Sequence, residues 1–189
     1  MGNCPSVYLH CELCDVSMAL PNRQPPMFYS DETSQLCAPI PSCLGFCDVC
    51  QRLISVEDFS TPVATLRQQL WALEQQQHRL TQQVWSRLKL RFWPASQRQY
   101  AELSQQIAAT ELLLRVRQMP ERQPRCLSCG STAFIGYPEY PYRDSCFLAA
   151  TPETLRHSCG ELWQARYSDF SCHIRTTPYY FSLSGDKLL

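Results

Sequence analysis

Long apolar segments are missing from this chain of 189 residues. No stretch approaches 18 uninterrupted apolar residues, so the sequence predicts no membrane-spanning helix. The N-terminal region also lacks the basic start and the apolar run of a secretory signal, because His10, Glu12 and Asp15 interrupt it. The sequence therefore gives no indication of export or of insertion into a membrane.

An excess of charge and the motifs of common enzymes are missing as well. The 17 basic residues balance 17 acidic residues, which excludes a generally basic coat for nucleic acid. Lysine is scarce, since only Lys89 and Lys187 accompany the arginines. The chain has no HExxH pair, no phosphate-binding glycine loop, no GxSxG elbow and no dinucleotide fingerprint. We expect a protein that is not an enzyme.

Cysteine, in contrast, is abundant, with 12 residues in the chain. Six of them form CxxC pairs: Cys11/Cys14, Cys47/Cys50 and Cys126/Cys129. A CxxC turn can direct two thiolates at one tetrahedral ion, which favours zinc. The competing interpretation is the disulfide framework of a secreted protein. Because a secretory signal is missing, we expect bound zinc in a reducing compartment, either the cytoplasm or, in a eukaryotic or viral protein, the nucleus.

The positions of the cysteines divide the sequence into three parts. All 12 lie outside a long segment with helical periodicity, Thr61 to Met119. We predict an N-terminal Cys-rich zinc module over residues 1–59, a helical hairpin over 60–120 and a β-module over 121–189. The expected fold class is α+β, with a long antiparallel helical hairpin flanked by the two metal-binding modules.

In the N-terminal module, Cys11/Cys14 and Cys47/Cys50 are predicted to share one zinc ion. The binding free energy would replace the hydrophobic core that so short a segment lacks. The stretch between the pairs is rich in proline, so we expect irregular loops there. We expect the remaining residues to be buried free thiols and a surface imidazole, namely Cys4, Cys37, Cys43 and His10.

The central segment has the signals of two helices. Leucines recur at spacings of three and four from Leu66 onward, and Pro62 suits the first position of a helix. Pro94 is predicted to end the first helix, and Ser96 and Gln99 form a capping box that opens the second. A connection this short makes the two helices antiparallel neighbours.

The predicted tip of this hairpin is basic and aromatic. Its cations are Arg87, Lys89, Arg91 and Arg98, and they lie close in sequence to Trp85, Phe92, Trp93 and Tyr100. Such a tip could bind phosphate and stack on bases, or contact a membrane surface. Alternatively, the cations neutralise the C-terminal end of the first helix and the aromatic side chains close the hairpin.

The last module contains a recognisable metal-binding turn. The run Cys126-Leu-Ser-Cys129-Gly130 resembles a knuckle of the zinc-ribbon superfamily, in which the glycine permits a tight left-handed turn. The resemblance covers about 40 residues and implies a zinc site and a small β-sheet. A second knuckle is expected at His157 and Cys159, with Cys146, Cys172 and His173 as substitute ligands. Residues 162–168, 172–176 and 179–184 are predicted to form an antiparallel sheet.

These features favour a zinc-binding interaction or adaptor protein that holds two zinc ions and presents its helical hairpin to a protein partner. The alternative is a nucleic-acid-binding adaptor that uses the basic tip and the ribbon. Gly2, in the run Met1-Gly-Asn-Cys-Pro-Ser6, fits the N-myristoylation pattern, but the pattern is loose and we expect a chance glycine and not a lipid anchor.

Overall fold

The structure is a computed structural model, and it describes residues 5–19, 26–82, 94–141, 156–157, 159–171 and 177–188. These residues form two helices, α1 (Val63–Gln82) and α2 (Pro94–Gln118). They also form nine strands: β1 (Pro5–Cys11), β2 (Val16–Ala19), β3 (Met27–Asp31), β4 (Leu36–Pro39), β5 (Ser42–Cys47), β6 (Arg52–Glu57), β7 (Phe134–Pro141), β8 (Gln164–Ser171) and β9 (Tyr179–Phe181). The mixed α+β class is confirmed.

The chain divides into two compact units, each built from segments that are distant in sequence. Unit 1 comprises Met1–Pro26, Ser42–Glu57 and Arg125–Pro178, and unit 2 comprises Met27–Pro41, Asp58–Pro124 and Tyr179–Leu189. This division differs from the consecutive domains 1–59, 60–120 and 121–189 that the sequence predicted. The difference arises because strands from the last third of the chain pair with hairpins from the first third.

Unit 1 contains two sheets with the same plan. Each has an antiparallel hairpin, β1–β2 or β5–β6, and in each the first strand of the hairpin is central. The other edge of that central strand pairs with a later antiparallel strand, β8 on β1 and β7 on β5. Each hairpin that carries a CxxC pair is thereby anchored to a distant part of the sequence.

Unit 2 contains the third sheet and both helices. Here β3 is central, with β4 antiparallel on one side and β9 parallel on the other. The prediction of one antiparallel sheet from the C-terminal residues is therefore wrong, because β8 and β9 belong to different sheets. Residues 172–176 lie outside the described part.

Strands, rather than the expected irregular loops, occupy much of the proline-rich stretch between the first two CxxC pairs. The prolines of this stretch that the structure describes lie where a strand tolerates them. Pro26 precedes β3, Pro39 ends β4 and Pro41 precedes β5. Proline cannot donate to a ladder, but it is accepted at the ends and edges of strands. Its frequency therefore marked the boundaries of short strands.

The two helices of unit 2 pack against each other through apolar side chains. Leu66 of α1 is buried, as are Leu103, Leu112, Leu114 and Val116 of α2. Near the other end of α1, Gln77 Nε2 donates to Ser104 Oγ at 2.8 Å. This contact joins the last third of α1 to the first half of α2. The connecting residues 83–93 lie outside the described part, so the hairpin itself stays a prediction.

Arg117 joins the end of α2 to the start of α1. Its Nη2 donates to the carbonyl oxygens of Phe59 and Thr61 at 2.8 and 2.9 Å, and its guanidinium lies 4.3 Å from the centre of the Phe59 ring.

Helix α1 begins at Val63, one residue after Pro62, whereas α2 begins at Pro94, before the capping box predicted at Ser96. Proline suits the start of a helix because the N–H groups of the first turn have no partner within the helix, so the N–H that proline lacks costs no hydrogen bond.

Candidate metal centres

The first candidate centre, which we call the His-Cys cluster, combines Cys11, Cys14, His157 and Cys159. Cys11 ends β1 and Cys14 lies in the turn to β2, whereas the other two precede β8. The four ligand atoms lie within 4.8 Å of one another. Cys159 Sγ lies 3.5 Å from Cys11 Sγ and 3.1 Å from His157 Nδ1.

The second candidate centre, the four-Cys cluster, combines Cys47, Cys50, Cys126 and Cys129. Cys47 ends β5 and Cys50 lies in the turn to β6, so these two occupy the same places as the first two ligands of the His-Cys cluster. The Sγ atoms of Cys47 and Cys129 are 3.6 Å apart, and those of Cys50 and Cys126 are 3.9 Å apart.

These separations suit ligands that share one ion. Two sulfurs bound about 2.3 Å from a tetrahedral zinc lie about 3.8 Å apart, whereas the sulfurs of a disulfide lie about 2.05 Å apart. All nine cysteines in the described part of the chain are free thiols. Both clusters could therefore hold metal ions.

Strand pairing brings the two halves of each cluster together. In the His-Cys cluster, His10 lies opposite Gln164, which places the turn before β8 beside the end of β1. In the four-Cys cluster, Cys47 lies opposite Phe134 at the start of β7. The second turn of this cluster is also held from the other side, since Leu127 N–H donates to the Ser55 carbonyl at 3.1 Å.

Buried Glu57 gives that second turn an additional anchor. Its side chain is only 2% exposed, and its Oε2 accepts from the Arg125 backbone N–H at 2.9 Å. The Glu57 N–H donates in return to the Arg125 carbonyl at 2.9 Å. A carboxylate so little exposed to water requires such partners. The pairing fixes the chain immediately before Cys126.

A glycine with positive φ follows the last cysteine of each second turn. Gly130 has φ 74° and Gly160 has φ 90°. In the first case Gly130 N–H donates to the Cys126 carbonyl at 2.9 Å, and in the second Gly160 N–H donates to the His157 carbonyl at 2.8 Å. The His157 turn is one residue shorter than a CxxC turn, but its ligand atom comes as close to the other ligands because an imidazole reaches further than a thiol.

The two clusters differ in their surroundings. The four-Cys cluster lies in a buried apolar group that includes Cys43, Ile54 and Val56, and Phe134 packs against it. One of its thiols, Cys129, is exposed, whereas in the His-Cys cluster both Cys14 and Cys159 are exposed. Its imidazole is supported by a buried tryptophan, because the Trp163 ring meets the His157 ring edge-on at 4.8 Å.

Hydrogen bonding shifts the thiol pKa values of the His-Cys cluster in opposite directions. The His157 imidazole, followed by the Glu161 N–H, lowers the pKa of Cys159 to about 6. The hydrogen bond to Cys159, followed by desolvation, raises the pKa of Cys14 to about 11. These neighbouring thiols therefore cannot both ionise easily on their own. A coordinated dication would ionise both of them.

In the four-Cys cluster the thiol pKa values also shift in opposite directions, and burial contributes more to the shifts. Burial raises the pKa of Cys126 to about 12, and burial followed by hydrogen bonding to Cys129 raises the pKa of Cys50. Burial also opposes the ionisation of Cys129, but the Ser131 N–H and the three neighbouring sulfurs lower its pKa overall. Four thiolates at this site require a cation to offset their repulsion.

The structure brings together the eight residues predicted as metal ligands, but not in the predicted combinations. The sequence predicted Cys11/Cys14 with Cys47/Cys50, and Cys126/Cys129 with His157/Cys159. In the structure Cys11 and Cys14 lie with His157 and Cys159. Cys47 and Cys50 lie with Cys126 and Cys129. The predicted combinations assume that the ligands closest in sequence share an ion. Strand pairing across the chain overrides that assumption.

The remaining cysteines and histidines were placed less well by sequence. Cys43 is buried, as expected, but Cys37 is exposed and His10 is only 7% exposed. His10 was expected at the surface, whereas its Nδ1 lies 3.0 Å from Ser17 Oγ across the β1–β2 pair. Other residues singled out in the sequence lie outside the described part of the chain, namely Cys4, Cys146, Cys172, His173, Gly2, Trp85, Arg87, Lys89, Arg91, Phe92 and Trp93.

Sequence reasoning missed the roles of Glu57 and Trp163. Glu57 follows an apolar run in β6, and an isolated acid at the end of such a run is a weak sign of burial. Trp163 comes four residues after Cys159, a spacing that gave no indication of its contact with His157.

None of the helices in the described residues is both long enough and apolar enough to cross a membrane. No protein-family model matches the chain, and no curated protein or solved structure is significantly similar to it.

Proposed function

We propose that the protein is a non-enzymatic zinc-binding interaction protein, in which two structural zinc ions stabilise unit 1 and the helices of unit 2 bind a protein partner. The observation that supports the structural role is that each cluster supplies four donor side chains. Four donors saturate tetrahedral zinc and leave no position for water or substrate. Catalytic zinc sites keep such a position open.

Zinc is the ion that these donor sets favour. Four thiolates, or three thiolates and one imidazole, are typical of structural zinc sites, whereas calcium and magnesium take oxygen ligands. Small sheets with little core gain much of their stability from such an ion. The two sheets of unit 1 contain three strands each, which fits this role.

The surface of unit 2 supports the partner half of the proposal. Trp71 on α1 is 64% exposed, and tryptophan is enriched among the residues that dominate binding energy at protein interfaces. A cleft of about 470 Å³ lies between the helices and β4, with Leu73, Leu113, Pro39 and two alanines, Ala72 and Ala109, in its lining. The lining of this cleft has no charged side chain and suits a protein better than a polyanion.

The metal content of protein purified under reducing conditions tests the first half. We expect two zinc ions per chain by mass spectrometry of the native protein. A chain that is folded without any bound metal would contradict the structural role.

Site-specific crosslinking tests the second half. A photoreactive residue at position 71 should give one discrete protein adduct whose yield is insensitive to salt, and the same residue at exposed position 99, near the start of α2, should give much less. The substitution Trp71→Ala, in protein without the photoreactive residue, should abolish the complex with the same partner. If neither adduct forms, or if the adduct is nucleic acid, the interaction half of the proposal is wrong.

The nucleic-acid alternative stays a prediction. Arg98 is exposed on α2, but the other three tip cations lie outside the described residues. Binding through phosphate would weaken steeply as salt rises, which separates this alternative from the protein-partner proposal.

A further inference from the structure

Three hairpins in this chain share one turn, although only two of them carry cysteine pairs. The turns are closed by a residue pair five positions apart: Cys11 with Val16, Asp31 with Leu36, and Cys47 with Arg52. In each turn the fifth residue is left-handed, with φ values of 53°, 55° and 50° at Asp15, Gln35 and Gln51. Non-glycine residues seldom adopt this conformation, so its recurrence at the same place defines a common turn.

The second of these hairpins replaces both metal ligands. The first and fourth positions of the turn, which are cysteines in the other two hairpins, are Asp31 and Ser34 here. The Ser34 hydroxyl donates to Asp31 Oδ2 at 2.7 Å, and the Thr33 N–H donates to Asp31 Oδ1 at 3.1 Å. In the third hairpin the Cys50 N–H likewise donates to Cys47 Sγ at 3.5 Å. The carboxylate accepts turn hydrogen bonds as the thiolate does.

A cation from a distant segment completes the second hairpin. Arg115, near the end of α2, donates from Nη1 to Asp31 Oδ2 at 2.6 Å. Asp31 is only 8% exposed, so this carboxylate lies largely out of water beside its partner. The Ser34 hydroxyl, together with the Thr33 N–H and the Arg115 guanidinium, holds the pKa of Asp31 below its usual range although desolvation opposes them.

We infer that the hairpin Met27–Pro39 is a metal-free knuckle, in which the Arg115 guanidinium supplies the positive charge that a metal ion supplies at the other two turns. Asp31 is the anionic ligand of this knuckle, and Ser34 is the hydrogen-bonding substitute for its second thiolate. Among the described residues, the two groups that could hold a metal both belong to unit 1. Arg115 therefore stabilises this hairpin of unit 2, and unit 2 stays folded when metal is removed.

This inference deepens the proposed function and rests on it only for the comparison with metal-bound knuckles. It assigns the metal requirement to unit 1 and leaves the helices of unit 2 able to bind a partner without zinc. Arg115 is a positioning residue, since it fixes the turn through Asp31 and is not a member of either cluster.

Amide hydrogen exchange of the full chain, followed by mass spectrometry, tests the inference with and without excess chelator. Residues 27–39 should keep their protection in chelator, while the hairpins at Cys11 and Cys47 lose theirs. Arg115→Gln and Asp31→Asn should each raise exchange in residues 27–39 about tenfold, the effect of losing a charged hydrogen bond. The double variant should be no worse than either single variant, because both remove the same contact.

Arg98→Gln is the matched control, since Arg98 is an exposed arginine on the same helix and should leave exchange unchanged. Loss of protection in residues 27–39 on chelation would overturn the inference, and so would additive effects of the two substitutions. A failure of the proposed zinc role is distinguishable, because it would leave the Cys11 and Cys47 hairpins protected in chelator.

Discussion

The two clusters of unit 1 are built on the same hairpin turn, yet they differ in exposure and in donor set. The four-Cys cluster lies among apolar side chains, with Cys47 and Cys126 buried. The His-Cys cluster has one imidazole, and its Cys14 and Cys159 are exposed. One local turn thus serves two sites of different chemistry, and the difference comes from what packs around it.

This comparison implies a division of labour within the same unit. The four-Cys cluster has two buried thiols, Cys47 and Cys126, and one exposed thiol, Cys129, whereas the His-Cys cluster has one buried thiol and two exposed ones. Water and competing ligands reach buried donors poorly, so the cluster with more buried thiols should exchange its ion more slowly. We therefore expect the four-Cys cluster to keep its ion and stabilise its sheet permanently, and the His-Cys cluster to lose its ion more readily.

The largest expected effect follows from removing a buried ligand. Cys126→Ser should abolish metal binding at the four-Cys cluster and unfold its sheet, because structural zinc contributes about 10 kcal/mol or more to such sites. Bound metal should fall from two ions to one, while the far-ultraviolet circular dichroism of the helices largely persists.

Cys43→Ala is the burial-matched control for that variant. Cys43 is 2% exposed in the same apolar group but is not one of the clustered ligands. It should retain both ions and cost about 1 kcal/mol of stability. If the helical signal disappeared together with the sheet in Cys126→Ser, the independence of unit 2 would be wrong.

A smaller effect is expected in the rates of metal loss. Under excess chelator the two ions should leave in two phases, with the His-Cys cluster faster by about tenfold or more. Stopped-flow absorbance with a chromogenic chelator would resolve them. Cys14→Ser should remove the fast phase alone, whereas a single phase for both ions would show that exposure does not distinguish the clusters.

The dependence of metal affinity on pH should separate the clusters further. Metal binding displaces protons from the ligands, so affinity falls as pH falls. Each cluster has one thiol with a lowered pKa and one with a raised pKa: Cys159 (about 6) and Cys14 (about 11) in the His-Cys cluster, and Cys129 (lowered) and Cys126 (about 12) in the four-Cys cluster. The number of thiols therefore decides the difference. The His-Cys cluster has one thiol fewer, so it should release fewer protons per ion and show the shallower dependence on pH.

Calorimetry in buffers of different ionisation enthalpy measures those protons directly. Cys14→Ser isolates the four-Cys cluster and Cys129→Ser isolates the other. Equal proton release from both variants would remove the electrostatic difference between the clusters.

The smallest expected effect concerns the second turns. Gly160 has φ 90°, and a methyl group added there would meet nothing within 4 Å, so a substitution introduces backbone strain without a steric clash. Gly160→Ala should cost about 1–2 kcal/mol at the His-Cys cluster. Gly136→Ala, where φ is not in the left-handed region, is the control and should lower the thermal unfolding midpoint less.

The helices were predictable because their signals are local. The spacing of Leu66 and its successors, and Pro62 before the start of α1, act within one or two turns of chain. The identity of candidate ligands was local too, since a CxxC pair declares itself within four residues. Their combination was not local, because it depends on β8 pairing with β1 and β7 pairing with β5.

The second hairpin shows why the rest escaped prediction. Cysteine pairs do not identify this hairpin, because Asp31 and Ser34 occupy the two positions that are cysteines in the other hairpins. The turn is the same, but its chemistry differs. The shared signal is the left-handed fifth residue, and Gln35 gives no sign of that conformation in the sequence alone. The partner of Asp31 is equally hidden, since Arg115 is one of several arginines on α2.

Native mass spectrometry of paired cysteine variants tests the central claim most directly, namely that each ion joins a hairpin from the first third of the chain to a turn from the last third. We predict that Cys11→Ser/Cys159→Ser retains one ion, because both substitutions fall in one cluster, and that Cys11→Ser/Cys47→Ser retains none. The reverse result, one ion in Cys11→Ser/Cys47→Ser and none in Cys11→Ser/Cys159→Ser, would contradict it.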